Sequence, residues 1–141
     1  MLALLLAALA SSAYSFVHDC SYSNSTFKIN KLIFNPRSPY FGEDIMLYLE
    51  FNNTDAPVIN GTISTTVTHN SKPFSYNVVY LCSRVLCPIP SSAVVNNFTN
   101  TWPYVSGKVS ISVVWKDIYN KQLLCYQINE NTTVNQVAIS V

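Results

Sequence analysis

Few side chains in this sequence have the type and spacing that chemistry requires. Four cysteines, Cys20, Cys82, Cys87 and Cys125, and two histidines, His18 and His69, are the metal-binding candidates. A zinc site needs thiols paired at knuckle spacing, and Cys82 and Cys87 stand five apart, so no metal is expected. In an oxidising compartment four cysteines read as two disulfides with three possible connectivities. A local Cys82–Cys87 clip is the simplest, and it leaves Cys20 with Cys125. On the chain-entropy argument the long bridge contributes about 4.7 kcal/mol and the clip about 2 kcal/mol. The carboxylates Asp19, Glu43, Asp44, Glu50, Asp55, Asp117 and Glu130 are scattered. General acid–base catalysis needs converging groups, and nothing here forces convergence. With no GxSxG, HExxH or glycine-rich phosphate loop, the chain does not read as an enzyme and implies no cofactor.

The residues suited to binding are apolar. Leu47, Leu49, Phe51, Phe74, Tyr76, Val78, Ile111, Val113, Trp115 and Tyr126 fall on one face of alternating segments. Phe98 and Trp102-Pro103-Tyr104 fall in a long connection, where they could line the mouth of a cavity. Such a set either fills a core or lines an apolar pocket.

The segments that position these residues read as strands. Period-two alternation runs through 44–51, 62–69, 74–81 and 108–116, with less regular candidates at 27–34 and 122–128. In 74–81 the apolar face is Phe74, Tyr76, Val78 and Tyr80; in 108–116 it is Val109, Ile111, Val113 and Trp115. Turn residues separate the segments, at Asn35-Pro36, 38–42, 52–61, 70–73 and Pro88/Pro90. One apolar face and one Ser/Thr/Asn face per strand is the pattern of an antiparallel sandwich. Residues 134–141 read either as a final edge strand or as a tail.

A chain of 141 residues fits one domain. A net charge of +1 with eight scattered cations leaves no electrostatic footprint for nucleic acid. The run Met1–Ala10, MLALLLAALA, has the length of a signal h-region and is too short to span a bilayer. Ser11 and Ala13 suit cleavage before Tyr14, and Ala13 and Ser15 suit cleavage before Phe16. The expectation is a signal peptide over 1–15 and a single domain over 16–141. Sequons at Asn24, Asn52, Asn60, Asn97 and Asn131 agree with secretion. Charged residues are 11%, so solubility is expected to rest on Ser/Thr/Asn faces and glycans.

Cys82-Ser83-Arg84-Val85-Leu86-Cys87-Pro88-Ile89 resembles the short disulfide loop and Pro-Ile of the ML (lipid-recognition) domain family. That family includes Niemann–Pick type C sterol carriers and group 2 mite allergens. Val113-Val114-Trp115-Lys116-Asp117 with Leu123-Leu124-Cys125-Tyr126 resembles its last hairpin, and 33–51 its first. The resemblance implies an immunoglobulin-like antiparallel β-sandwich, all-β, of about seven strands in two sheets. It also implies the pairs Cys20–Cys125 and Cys82–Cys87, and a lipid held between the sheets, with Phe74 and Trp102 at pocket positions. The chain departs from the sterol carriers in having no cysteine within 36–42 and four residues inside its clip. The expected function is a secreted or endosomal/lysosomal lipid-binding and transfer protein. Its ligand is a sterol, fatty acid or phospholipid in a pocket of Leu49, Phe74, Tyr76, Val78, Phe98, Trp102, Ile111, Val113, Trp115 and Tyr126. It is expected to act as a monomer in transient contact with a membrane or membrane receptor. The alternative is an accessory module, lipid-presenting or receptor-interacting, without transfer activity.

Overall fold

The computed structural model describes residues 17–35, 39 and 42–132. The signal-peptide reading of 1–15 and the segment 134–141 lie outside the described residues. Eight strands form: β1 (Val17–Asp19), β2 (Phe27–Asn35), β3 (Asp44–Asn53), β4 (Gly61–His69), β5 (Lys72–Tyr80), β6 (Ala93–Thr101), β7 (Gly107–Asp117) and β8 (Gln122–Thr132). A short 3₁₀ turn, Leu81–Ser83, follows β5. One sheet has five strands in the order β1-β8-β7-β4-β5, and the other three in the order β2-β3-β6. Every pairing is antiparallel, and the two sheets make the expected immunoglobulin-like sandwich.

Hydrophobic alternation explains most of this architecture. Along β3, Ile45, Leu47, Leu49, Phe51 and Asn53 are buried, while Met46, Tyr48, Glu50 and Asn52 face outward or lie half-buried. Along β7, Val109, Val113 and Trp115 are buried on the corresponding face. The β4–β5 hairpin turns on Asn70 and Ser71, both at positive φ, 49° and 66°. Two consecutive residues in that region give a turn whose twist matches the strands it joins.

The sandwich is closed at its two ends by aromatic groups. At one end Phe27 stacks on Phe51 (centroids 4.7 Å), and Trp115 packs edge-on against Phe51 at 5.5 Å. At the other, Phe34 meets Trp102 at 5.9 Å. Asn53 is buried and fully used: its amide donates to the carbonyls of Ala56 and Pro90, and its oxygen accepts from the Asp55 N–H. These bonds pin the β3–β4 connection to the segment leaving the clip.

Both disulfides pair as expected. Cys20–Cys125 ties the exit of β1 to β8, across 105 residues, and Cys82–Cys87 closes the loop after β5. Two strands, β1 and β6, were not read as strands from the sequence. β1 is too short to show a period. Residues 93–101, read as a connection carrying Phe98, form β6, paired along its whole length with β3. Its inward positions alternate Val94, Asn96, Phe98 and Asn100, so polar residues interrupt the apolar face that marks a strand in sequence.

Candidate functional site

The two sheets meet along one side of the sandwich and part along the other. The parting edges are β5 of the larger sheet and β6 of the smaller, which are not hydrogen-bonded to each other. Between them opens a cavity of 480 Å³. Its interior is apolar, lined by Phe34, Ile45, Leu47, Ile63, Val67, Ile111, Val113, Trp115 and Ile128. Its mouth is polar: Ser75 and Asn77 of β5, Asn97, Thr99 and Asn100 of β6, and Ser83 and Arg84 of the clip. A volume of this size lies in the range of sites that take small organic ligands, and an apolar lining with few polar groups is their usual chemistry.

Five of the ten pocket residues expected from the sequence line this cavity: Phe98, Ile111, Val113, Trp115 and Tyr126. Leu49 and Trp102 do not. Both are fully buried in the core. Trp102 is held at the far end by its N–H to the Glu43 carbonyl and by Gly42 N–H to its own carbonyl.

Phe74, Tyr76 and Val78 need correction. They are 52%, 68% and 45% exposed, on the outer face of β5. Register decides this. Val79, Asn77 and Ser75 pair with the inward Ile63, Thr65 and Val67 of β4, which turns Tyr76 and Val78 outward with Thr66 and Ser64. A bulge at Val67/Thr68 follows, and Phe74 rests against the His69 ring at 6.2 Å. Reading the larger apolar set as inward chose the wrong face. The true inward face is Ser75, Asn77 and Val79, polar at the two positions that border the mouth.

Two polar side chains of the cavity wall, Trp115 and Tyr126, make no side-chain hydrogen bond with any described residue. The Trp115 indole Nε1 is buried and unbonded. Tyr126, also buried, makes no hydrogen bond from its hydroxyl to any described residue, and burial pushes its phenol well above its ordinary range. It therefore stays a donor at any physiological pH. The two residues are diagonal neighbours on one face, since Tyr126 pairs with Val113 and Leu124 with Trp115. The amide of Asn96, on β6, is buried and unbonded as well.

Sequence reasoning missed the mouth. Arg84 was visible only as part of a disulfide loop, and Asn77 only as the back of a strand. Among the described residues no cluster of His, Cys, Asp and Glu could hold a metal. Of the sequons, Asn24, Asn97 and Asn131 are exposed, while Asn52 and Asn60 are half-buried, Asn60 accepting from the Gly61 N–H at 2.8 Å.

Fold and cavity together define an ML-type sandwich, two antiparallel sheets parted along one side around an apolar space. The solved structures agree on the fold. The chain superimposes on a Niemann–Pick type C2 protein from the Japanese carpenter ant with a TM-score of 0.58 at 15% identity, over 82% of this chain and 98% of that one. It superimposes on chicken MD-1, complexed with lipid IVa, with a TM-score of 0.55 at 8% identity, over 83% and 98%. Among curated proteins it is 28% identical over 123 residues to the "Putative phosphatidylglycerol/phosphatidylinositol transfer protein 1" of Dictyostelium discoideum, covering 82% of this chain and 80% of that one. A second Dictyostelium protein of the same description is 27% identical over 130 residues, 88% and 92% of the two chains. No protein-family model matches the chain.

Proposed function

We propose that this protein binds one lipid, with its apolar part between the sheets, and carries it between membranes. The 480 Å³ cavity, apolar within and polar at its mouth, that opens between the β5 and β6 edges carries this reading. Each methylene moved from water into such a space contributes about 0.8 kcal/mol, so a dozen or so buried methylenes suffice for tight binding without any ion pair. The polar mouth leaves a headgroup in water. The names of the Dictyostelium relatives favour a phospholipid over a sterol. The protein acts through this cavity without catalysis.

Exposed Phe74, Tyr76, Val78 and Tyr80 form a strip beside the mouth, on the outer face of the same edge strand. Tyrosine rings partition to the membrane–water interface, which supports contact with a bilayer during exchange. Two disulfides and three exposed sequons support secretion or a lumenal compartment, a cleaved segment over 1–15, and glycans on Asn24, Asn97 and Asn131. The MD-1 complex with lipid IVa supports a second reading, presentation of a lipid without transfer.

Native mass spectrometry of the purified protein, followed by extraction, should find one bound lipid per chain. Transfer of a labelled lipid between donor and acceptor vesicles should then accelerate with protein concentration. A chain that binds no phospholipid, fatty acid or sterol sinks the proposal; binding without transfer leaves the presenting role.

A further inference from the structure

The cavity has one cation and no carboxylate among its described lining residues. The cation is Arg84, which ends the 3₁₀ turn by donating its backbone N–H to the Leu81 carbonyl at 3.0 Å. Its position is built. Leu81 and Val85, on either side of it, are buried in the core, and the Cys82–Cys87 bridge closes the loop. Its side chain is exposed and forms no ion pair with any described residue. A guanidinium presents a rigid fork of N–H donors that matches the oxygens of a phosphate or carboxylate two at a time. At the mouth of an apolar cavity such a fork lies where the headgroup of an amphiphile leaves its chains.

The interior points the same way. Tyr126, on the cavity wall, makes no hydrogen bond from its hydroxyl to any described residue. A ligand that brings an acceptor to this hydroxyl is favoured over plain hydrocarbon. An acyl ester brings one.

We propose that Arg84 binds the anionic headgroup of the lipid whose chains fill the cavity, so that the protein selects acidic glycerophospholipids over neutral lipids with the same chains. This rests on the lipid-binding reading above and adds to it the headgroup class and the residue that reads it.

The test compares two soluble fluorescent lipids with the same short labelled acyl chain, phosphatidylglycerol and diacylglycerol, on the full protein. The wild type should bind phosphatidylglycerol about tenfold or more tightly than diacylglycerol. Arg84→Gln should bring the two affinities within about twofold by weakening phosphatidylglycerol alone, and Arg84→Lys should restore part of the difference. Because the side chain is exposed, the melting temperature should not move. Lys31→Gln, on the outer face of the other sheet over the Tyr48 ring, should change nothing; an effect as large as that of Arg84→Gln would assign the preference to bulk charge and overturn the proposal. Equal affinities in the wild type would overturn it while leaving lipid binding intact. Binding of neither lipid would overturn the lipid-binding reading and this proposal with it. Glycerol phosphate without acyl chains should not displace the labelled lipid at matched concentration; displacement would mean a free-phosphate site and would also overturn it.

Discussion

Replacing both clip cysteines, Cys82→Ser with Cys87→Ser, should separate stability from binding. The bridge spans five residues, against 105 for Cys20–Cys125. If each acts by restricting the unfolded chain, removing the clip costs about 2 kcal/mol and removing the long bridge about 4.7 kcal/mol. Native stability of about 0.05–0.15 kcal/mol per residue gives this domain roughly 6–17 kcal/mol, so the clip variant stays folded while the long-bridge variant approaches the threshold. Leu81, Val85 and Ile89, all buried, hold the loop in place after the clip is cut. Ser83 and Arg84 at the mouth lose their covalent restraint. Reordering a side chain costs roughly 0.5–1.5 kcal/mol, so phosphatidylglycerol affinity should fall about two- to tenfold. Urea unfolding under non-reducing conditions measures the first quantity, and fluorescence titration of the folded protein measures the second. A clip variant as destabilised as the long-bridge variant would refute the entropy argument. One with unchanged affinity would refute the claim that the clip organises the mouth.

Three other outcomes follow from placement. Phe98→Ala should weaken lipid binding by about 1 kcal/mol, since the half-buried ring lines the cavity edge-on to Trp115 at 5.9 Å, whereas Trp102→Ala should cost about 3–5 kcal/mol of stability and spare the affinity of the folded fraction. Titration and thermal unfolding separate the two, and the reverse assignment would refute the placement. The pair Tyr76→Ser and Tyr80→Ser should slow transfer between vesicles while leaving the equilibrium affinity for monomeric lipid unchanged; a lost affinity would mean that the β5 outer face belongs to the binding site. Glu130 has its carboxyl raised above the ordinary value of 4.5 by burial, opposed by the Asn131 N–H. The folded state therefore holds its proton more tightly, and stability falls as pH rises from that ordinary value through the raised one. Glu130→Gln should stabilise the protein at pH 7, with the gain disappearing in acid; melting at pH 7 and pH 4 checks the sign.

Strands with one clean apolar face, β3 and β7, were legible residue by residue, because a fully packed face allows only apolar side chains along it. Both disulfides were legible from count and spacing. β6 was not, because Asn96 and Asn100 sit at its inward positions, and β5 was read with its faces exchanged. The two misreadings have one cause. β5 and β6 flank the cavity mouth, where inward residues meet the opening of a cavity instead of a packed core. The rule that apolar means inward loses its force there; Tyr76 and Val78 follow the register set by β4, and Phe74 falls at the bulge.

The sequence by itself therefore determined an all-β chain, its two disulfides and its poverty in catalytic groups. Periodicity, cysteine count and composition are local or additive properties that need no coordinates. Tertiary structure decided which aromatics line a cavity and which face water, and it brought Arg84 to the rim. Those outcomes depend on pairing partners far apart in the chain. A one-residue change of register exchanges the two faces of a strand, and no property of the strand alone selects between them.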